Sequence, residues 1–345
     1  MKVIVLNNAS PFTWGGAEEL ADHLVRNLLA SGAQAELLRI PFAWNPPERL
    51  IEQMVMNFSF RLDQADRVIP LKFPAYLIPH RDKVFWLLHQ YRQAYDLWDA
   101  GQSNIPNTPE GSKIRAAISA ADTQTFAAAT RIYTNSRVTG KRLLDYNGFD
   151  SEVLMPPLND PEIFVNQGDE GYLLAAGRVN AGKRQTLLVD ALAYLPPSIR
   201  MIVAGPPDSP ADAQELVRRV AAAGLQDRVK LDLRFLSRRE LADYVGRARA
   251  VAYVPFDEDS VGYVTMEAFQ ASKPVVTTTD SGGLLQIVHD DHTGTVGAPT
   301  PRALAEAIAK LMDDPARAAK LGQAGHKEWN GLGITWPHTI EKLLT

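Results

Sequence analysis

YLLAAGRVNAGKRQTLLVDALAYLPPSIRMIVAG, residues 172–205, decides the fold. It opens with the apolar run Tyr172–Ala176 and closes with another, Met201–Ala204, ahead of Gly205-Pro206-Pro207. Between them Gln185–Ala193 reads as a helix. Short apolar strands joined through a helix belong to a parallel sheet with helices on its faces. The same alternation continues downstream. Ala211–Ala223 reads as a helix closed by Gly224, Val229–Leu233 as a strand and Arg238–Arg247 as a helix. Ala250–Val254 and Pro274–Thr277 read as strands around a helix over Val264–Ala271, and Pro301–Asp313 and Pro315–Trp329 read as helices.

Upstream the pattern is similar. Val3–Leu6, Ala35–Leu38, Val68–Pro70, Val84–Leu88 and Arg131–Thr134 read as strands. Ala17–Ala30 is an amphipathic helix ended by Gly32, with Leu20, Leu24, Leu28 and Leu29 at helical spacing. The stretch Asp99–Lys113, rich in Gly, Asn and Pro, reads as a variable loop or a surface excursion. Around Ser151–Gly168 the alternation breaks, with Pro156, Pro157 and Pro161 marking a domain boundary. The fold class is therefore α/β, in two similar parallel-sheet units. Open sheets of this kind bind ligands at the carboxyl ends of their strands.

Composition narrows the class of function. The 345 residues are 46% apolar and 22% charged, as in a folded protein with room for two cores. A net charge of −4 argues against nucleic acid as a partner. The basic cluster Arg238–Arg239 near Arg234 reads as a solvated face. The absence of cysteine excludes disulfides, thiolate metal sites and a thiol nucleophile. The opening MKVIVLNNAS has only a four-residue apolar run, so a cytoplasmic protein is expected, with peripheral membrane contact left open.

Five constellations carry chemistry. Gly177-Arg178 and Lys183 follow a strand and precede a helix, where a forked guanidinium, an ammonium and backbone amides suit a diphosphate; a solvated basic loop is the plainer reading. Asp259 and Glu267 are eight residues apart with Gly262 between them, at an expected helix start after the strand Ala250–Val254. Such a start attracts negative charge, and a carboxylate there can accept sugar hydroxyls, or be a surface acid beside a helix cap. Gly15-Gly16-Ala17-Glu18 is a tight strand-to-helix turn, but not a dinucleotide fingerprint. His89 ends the strand Val84–Leu88, placed for chemistry or for structure. Asn135-Ser136 ends another strand and can cap the next helix.

Together these pieces resemble the retaining GT-B glycosyltransferases called group 1, or family 4. The resemblance rests on Gly15-Gly16-Ala17-Glu18, Thr134-Asn135-Ser136-Arg137, Ala176-Gly177-Arg178 through Lys183, and Val203-Ala204-Gly205. It continues through the acidic pair ending at Glu267-Ala268, then Lys273-Pro274-Val275-Val276, Gly282-Gly283 and His292-Thr293-Gly294. It is densest from Tyr172 to Gly294. It implies two Rossmann-like domains facing across a deep cleft: 1–160 on the acceptor side, 161–330 binding the nucleotide sugar, and a helix in 331–345 crossing back to the first.

By the same resemblance, Arg178 and Lys183 match the diphosphate-binding pair and Glu267 the glutamate that contacts the donor ribose. Asp259 stands where the family usually has Glu to contact the donor sugar, with Glu258 beside it as a substitute. Gly262, Tyr263 and Val264 would lie along the donor through their amides, near Gly205, and Gly16 would approach from the first domain. His89, Asp259 and Glu267 would be the catalytic set. The implied reaction is transfer with retention from a UDP- or GDP-type donor to a glycan, a lipid-linked acceptor or a small molecule. It needs neither metal nor cofactor; Asp257-Glu258-Asp259 is not read as a metal site. The rival readings are a nucleotide-sugar epimerase, a sugar phosphorylase, and a binding protein without turnover.

Overall fold

The computed structural model describes residues 1–11 and 14–345. The chain forms two compact units, Met1–Pro157 together with Ile334–Thr345, and Leu158–Gly333.

The first unit runs β1 (Lys2–Ala9), α1 (Gly16–Ala30), β2 (Gln34–Pro41), α2 (Leu50–Ser59), β3 (Arg67–Pro70), β4 (Val84–Leu87), α3 (Asp96–Asp99), α4 (Pro109–Ala127), β5 (Arg131–Thr134), α5 (Arg137–Asn147) and β6 (Glu152–Val153). All its paired strands are parallel, in the orders β2-β1-β3 and β4-β5-β6. The Val68 and Leu88 amides, donating to Asp82 and Leu71 carbonyls at 3.0 Å each, link β3 to β4. The loop expected over Asp99–Lys113 is a correction: a helix begins at Pro109, with the Thr108 hydroxyl accepting from Gly111 N–H. Proline at the first helical position after a capping threonine is a start signal, because its missing N–H is not needed there. Ser136 caps α5, accepting from Thr139 N–H at 3.1 Å.

The second unit runs β7 (Tyr172–Ala176), α6 (Gln185–Leu192), β8 (Arg200–Ala204), α7 (Pro210–Ala222), β9 (Val229–Asp232), α8 (Arg238–Arg247), β10 (Ala250–Ala252), α9 (Tyr263–Gln270), β11 (Val275–Thr278), β12 (Gly294–Gly297), α10 (Pro301–Met312) and α11 (Pro315–Gly331). Its six parallel strands lie in the order β12-β11-β10-β7-β8-β9. Every residue of β7 is buried, as expected of a central strand covered on both faces. Leu304, Ile308 and Leu311 of α10 project one apolar stripe into the core around Leu173, Leu188 and Val203. The chain winds one way from β7 through β8 to β9, and the other way from β10 to β12. β7 and β10 therefore flank the topological switch point, where such sheets hold ligands beyond the strands' carboxyl ends.

The last helix, α12 (Trp336–Leu344), belongs to the first unit. Trp336 meets Trp86 edge-on at 6.1 Å, and Ile340 and Leu343 bury against the β1–α1 layer. Arg67 donates to the Leu343 carbonyl at 2.9 Å and the Tyr133 hydroxyl to the Lys342 carbonyl at 3.1 Å.

The first unit also buries two titratable groups at a cost. Burial pushes the Asp122 carboxyl up to about 7, although the Tyr95 hydroxyl, donating at 2.8 Å, holds it back. Burial likewise pulls the Lys83 ammonium down to about 8, with the Tyr76 carbonyl accepting from it at 3.0 Å. From about pH 4 to 7 the folded chain keeps a proton on Asp122 that the unfolded chain has released, so stability falls with rising pH. Between about pH 8 and 10 the unfolded chain holds the Lys83 proton longer, so stability rises. These two groups place a shallow minimum near pH 7–8. Asp122→Asn is expected to flatten the acidic limb in thermal melts taken from pH 4 to 8. An unchanged slope there refutes the assignment.

Candidate functional site

β7 ends at Ala176, and Gly177 turns the chain at φ +113°. Gly205 makes the matching turn after β8 at φ +139°, so close that a Cβ on it would lie 2.3 Å from the Gly177 carbonyl oxygen. Glycine alone permits this approach. The two loops are then fastened together, Val179 N–H donating to the Pro206 carbonyl at 2.9 Å and Asp208 N–H to the Val179 carbonyl at 3.0 Å. Arg178 and Asp208 meet as a result. Nη1 of Arg178 donates to both carboxylate oxygens at 2.9 and 3.0 Å, and Asn180 Nδ2 donates to the same group at 2.8 Å. The Arg178 side chain is still 39% exposed, so its charge is oriented yet open to a ligand.

Lys183 closes the same loop. Asn180 Oδ1 accepts its N–H at 2.9 Å. Its Nζ donates to the Tyr253 hydroxyl at 2.8 Å and pairs with the Glu258 carboxylate. Burial works against the ammonium, but Glu258 and then Tyr253 outweigh it and hold Lys183 above its ordinary pKa. Burial and the Glu258 charge push the Tyr253 hydroxyl up to about 12. At neutral pH this corner therefore holds a lysine cation, a carboxylate and a neutral phenol.

Arg184 ties the loop after β7 to its neighbours. It donates to the Val254 and Pro255 carbonyls at 2.8 and 2.9 Å, to Thr278 Oγ1 at 2.8 Å, and to both Asp280 oxygens at 2.8 Å. One side chain thus fixes the carboxyl ends of β10 and β11 against the turn that carries Lys183.

Beyond β10, Gly262 stands at φ +75°, and a Cβ there would lie 2.4 Å from the Tyr253 ring. α9 starts directly on that ring, with Tyr263 and Val264 as its first two residues. Its N-terminal turn adds the partial positive charge of the helix dipole to Lys183 and Arg178. Glu267, one turn inside, is 1% exposed and pairs with Arg238 at the start of α8. Asp259 is 6% exposed, whereas its neighbour Glu258 reaches Lys183.

Of the residues singled out in the sequence, Arg178, Lys183, Gly205, Glu258, Asp259, Gly262, Tyr263, Val264 and Glu267 lie beyond the carboxyl ends of β7, β8 and β10 in the second unit. Gly16 and His89 belong to the first unit. Gly16 opens α1 after β1, and His89 lies past β4 with Nδ1 2.7 Å from the Gln90 carbonyl oxygen. The solvated reading of Arg238 is overturned, because its guanidinium serves a buried carboxylate. Sequence reasoning also passed over Arg184, Asp208 and Tyr253. Each acts through a partner 28 or more residues away, and no local spacing marks it.

Residues 159–328 match the family model described as glycosyl transferases group 1. A D-inositol 3-phosphate glycosyltransferase of Kineococcus radiotolerans is 32% identical over 254 residues, 64% of this chain and 57% of that protein. The chain thus spans little more than half the length of that relative. Sucrose-phosphate synthase from Thermosynechococcus elongatus superposes with a TM-score of 0.78 at 16% identity, covering 99% of this chain and 97% of the other. Anabaena HepE, crystallised in complex with UDP-glucose, gives 0.74 at 17% identity over 100% and 98%. The fold is that of the GT-B glycosyltransferases, with two Rossmann-like parallel-sheet units.

Proposed function

We propose that this protein, whose residues 159–328 match the model of group 1 glycosyl transferases and whose chain has the GT-B fold, transfers a sugar from a nucleotide-diphosphate sugar to an acceptor with retention of configuration. The observation that carries the reading is the corner beyond β7 and β10, where Arg178 and Lys183, oriented by Asp208 and Glu258, stand beside the start of α9 at the switch point. A diphosphate leaving group develops negative charge as the glycosidic bond breaks. Two oriented cations and a helix N-terminus stabilise it most where that charge is greatest. Glu267 would take the ribose hydroxyls, and Asp259 or Glu258 those of the donor sugar. Gly16 and His89 would serve the reaction from the first unit.

The UDP-glucose complex of HepE supports a nucleotide-sugar donor, here of UDP or, as the other expected type, GDP class. The acceptor would be a glycan, a lipid-linked sugar or a small molecule. No helix among the described residues is long and apolar enough to cross a membrane.

A panel of UDP- and GDP-sugars tested by thermal shift, followed by nucleotide release with candidate acceptors, tests the reading. One donor class is expected to raise Tm and to be consumed. No shift with any donor refutes it, and binding without turnover across the acceptors favours a binding protein. Since the fixed cations supply the charge that a divalent ion would otherwise bring, turnover is expected to be unchanged in excess EDTA. Loss of activity that Mg²⁺ restores refutes metal independence.

A further inference from the structure

Arg238 is the first residue of α8, on which the Ser237–Glu240 capping box fixes the entering chain. A residue there normally points to water. Arg238 is instead held on several sides. Nη1 pairs with Oε1 of Glu267, Nη2 donates to the Asn159 carbonyl at 2.8 Å, and the guanidinium lies 4.8 Å from the centre of the Phe164 ring. Asp160 adds a carboxylate oxygen 3.7 Å from Nε. Glu267 is 1% exposed, and a carboxylate taken that far out of water is unfavourable unless a cation and hydrogen bonds accompany it.

We propose that Arg238 is a positioning residue for nucleoside recognition: it keeps the Glu267 side chain aimed so that its carboxylate accepts the ribose hydroxyls of the donor. The inference rests on the glycosyl-transfer reading above and adds to it a residue outside the diphosphate corner. The planar fork matters, because one guanidinium spans Glu267 and the Asn159 carbonyl at once, and so couples the segment before β7 to α9. An ammonium reaches only one of the two. Arg238 therefore acts on the nucleoside half of the ligand, and Arg178 and Lys183 on the diphosphate half.

The experiment separates those halves. Calorimetric titrations with UDP or GDP (whichever the wild type binds more tightly), with the 2′-deoxy nucleotide and with inorganic pyrophosphate are run on wild type, Arg238→Met, Arg238→Lys and Glu267→Gln. Arg238→Met is expected to weaken the ribonucleotide at least tenfold, to leave pyrophosphate within twofold, and to abolish the preference for ribo over 2′-deoxy. Arg238→Lys is expected to fall between wild type and Arg238→Met. The double variant Arg238→Met/Glu267→Gln should be no worse than Glu267→Gln. A merely structural role would lower the melting temperature and weaken pyrophosphate as much as nucleotide, which overturns the proposal. Arg238→Met binding the ribonucleotide normally while Glu267→Gln does not overturns the inference but spares the glycosyl-transfer reading. A Glu267→Gln variant that binds normally removes the object of the positioning and overturns the proposal as well. Failure of the wild type to bind either nucleotide counts against the reading on which it rests.

Discussion

Lys183→Ala is expected to lower kcat/KM for the nucleotide-sugar donor by about 100-fold, roughly 3 kcal/mol, while circular dichroism shows the fold unchanged. Two losses add. The ammonium no longer meets the diphosphate, a charge-assisted contact that strengthens as the leaving group gains charge. The Glu258 carboxylate, which Lys183 now neutralises, is left facing the anion. Repulsion between like charges in a half-buried corner makes this truncation worse than deletion of a simple contact. The same argument orders the neighbouring variants. Arg178→Ala is expected to cost less, about tenfold, because its side chain is 39% exposed and solvent screens what is lost. Lys183→Ala/Glu258→Gln is expected to recover part of the Lys183→Ala loss, since the stranded carboxylate is gone. Donor kinetics on the four proteins check the series. A double variant no better than Lys183→Ala refutes the electrostatic account, and normal donor use in Lys183→Ala refutes the site.

Much of the second unit was legible because β7 and β8 are continuous apolar runs followed directly by glycine, whereas β12, Gly294–Gly297, has no such run and went unread. Tyr172–Ala176 and Arg238–Arg247 coincide with β7 and α8 as read from sequence alone. The first unit was harder to read. α4 buries Gly111, Ala121, Asp122 and Thr125 beside Ile114, Ile118 and Phe126, so small and polar residues dilute the apolar stripe on which the reading depends. No helix is read over α2, and α5 is foreseen only as the helix that Asn135 or Ser136 caps.

At the site, residues that turn the chain or end a strand are visible locally, because glycine at a strand's carboxyl end has few other uses. Residues that act through distant partners are not. Arg184 finds Asp280 96 positions along the chain, and Arg238 finds Glu267 29 positions along. Local periodicity gives Arg238 only a place at an exposed helix start. The fold supplies the buried carboxylate that gives its charge a purpose.

That dependence of the site on distant backbone is testable at Gly282. Its φ is +77°, and a Cβ added there would lie 2.3 Å from the Glu258 carbonyl oxygen and 2.6 Å from the Glu258 nitrogen. These are backbone atoms, which cannot swing aside as a side chain can. They also belong to a short ladder: Asp257 N–H donates to the Asp280 carbonyl at 2.8 Å, Glu258 N–H to the Ser281 carbonyl at 3.1 Å, and Gly283 N–H to the Glu258 carbonyl at 2.7 Å. Gly282→Ala must therefore push the 257–259 segment outward or break that ladder. At φ +77° and ψ −128° the backbone lies outside the left-handed helical well, in a region that side chains rarely adopt, so conformational strain and overlap together are expected to cost roughly 3 kcal/mol. That is a fall in melting temperature of about 6–12 °C. Because the displaced segment carries Glu258 and leads into α9, donor affinity should fall with stability. Gly224→Ala is the control. Gly224 also has a positive φ, +66°, but a Cβ on it meets nothing within 4 Å. That variant should show the conformational cost alone, about 1 kcal/mol, with donor affinity unchanged. If the two variants lose stability equally, or if Gly282→Ala binds donor as the wild type does, then the 257–259 segment does not set the donor corner.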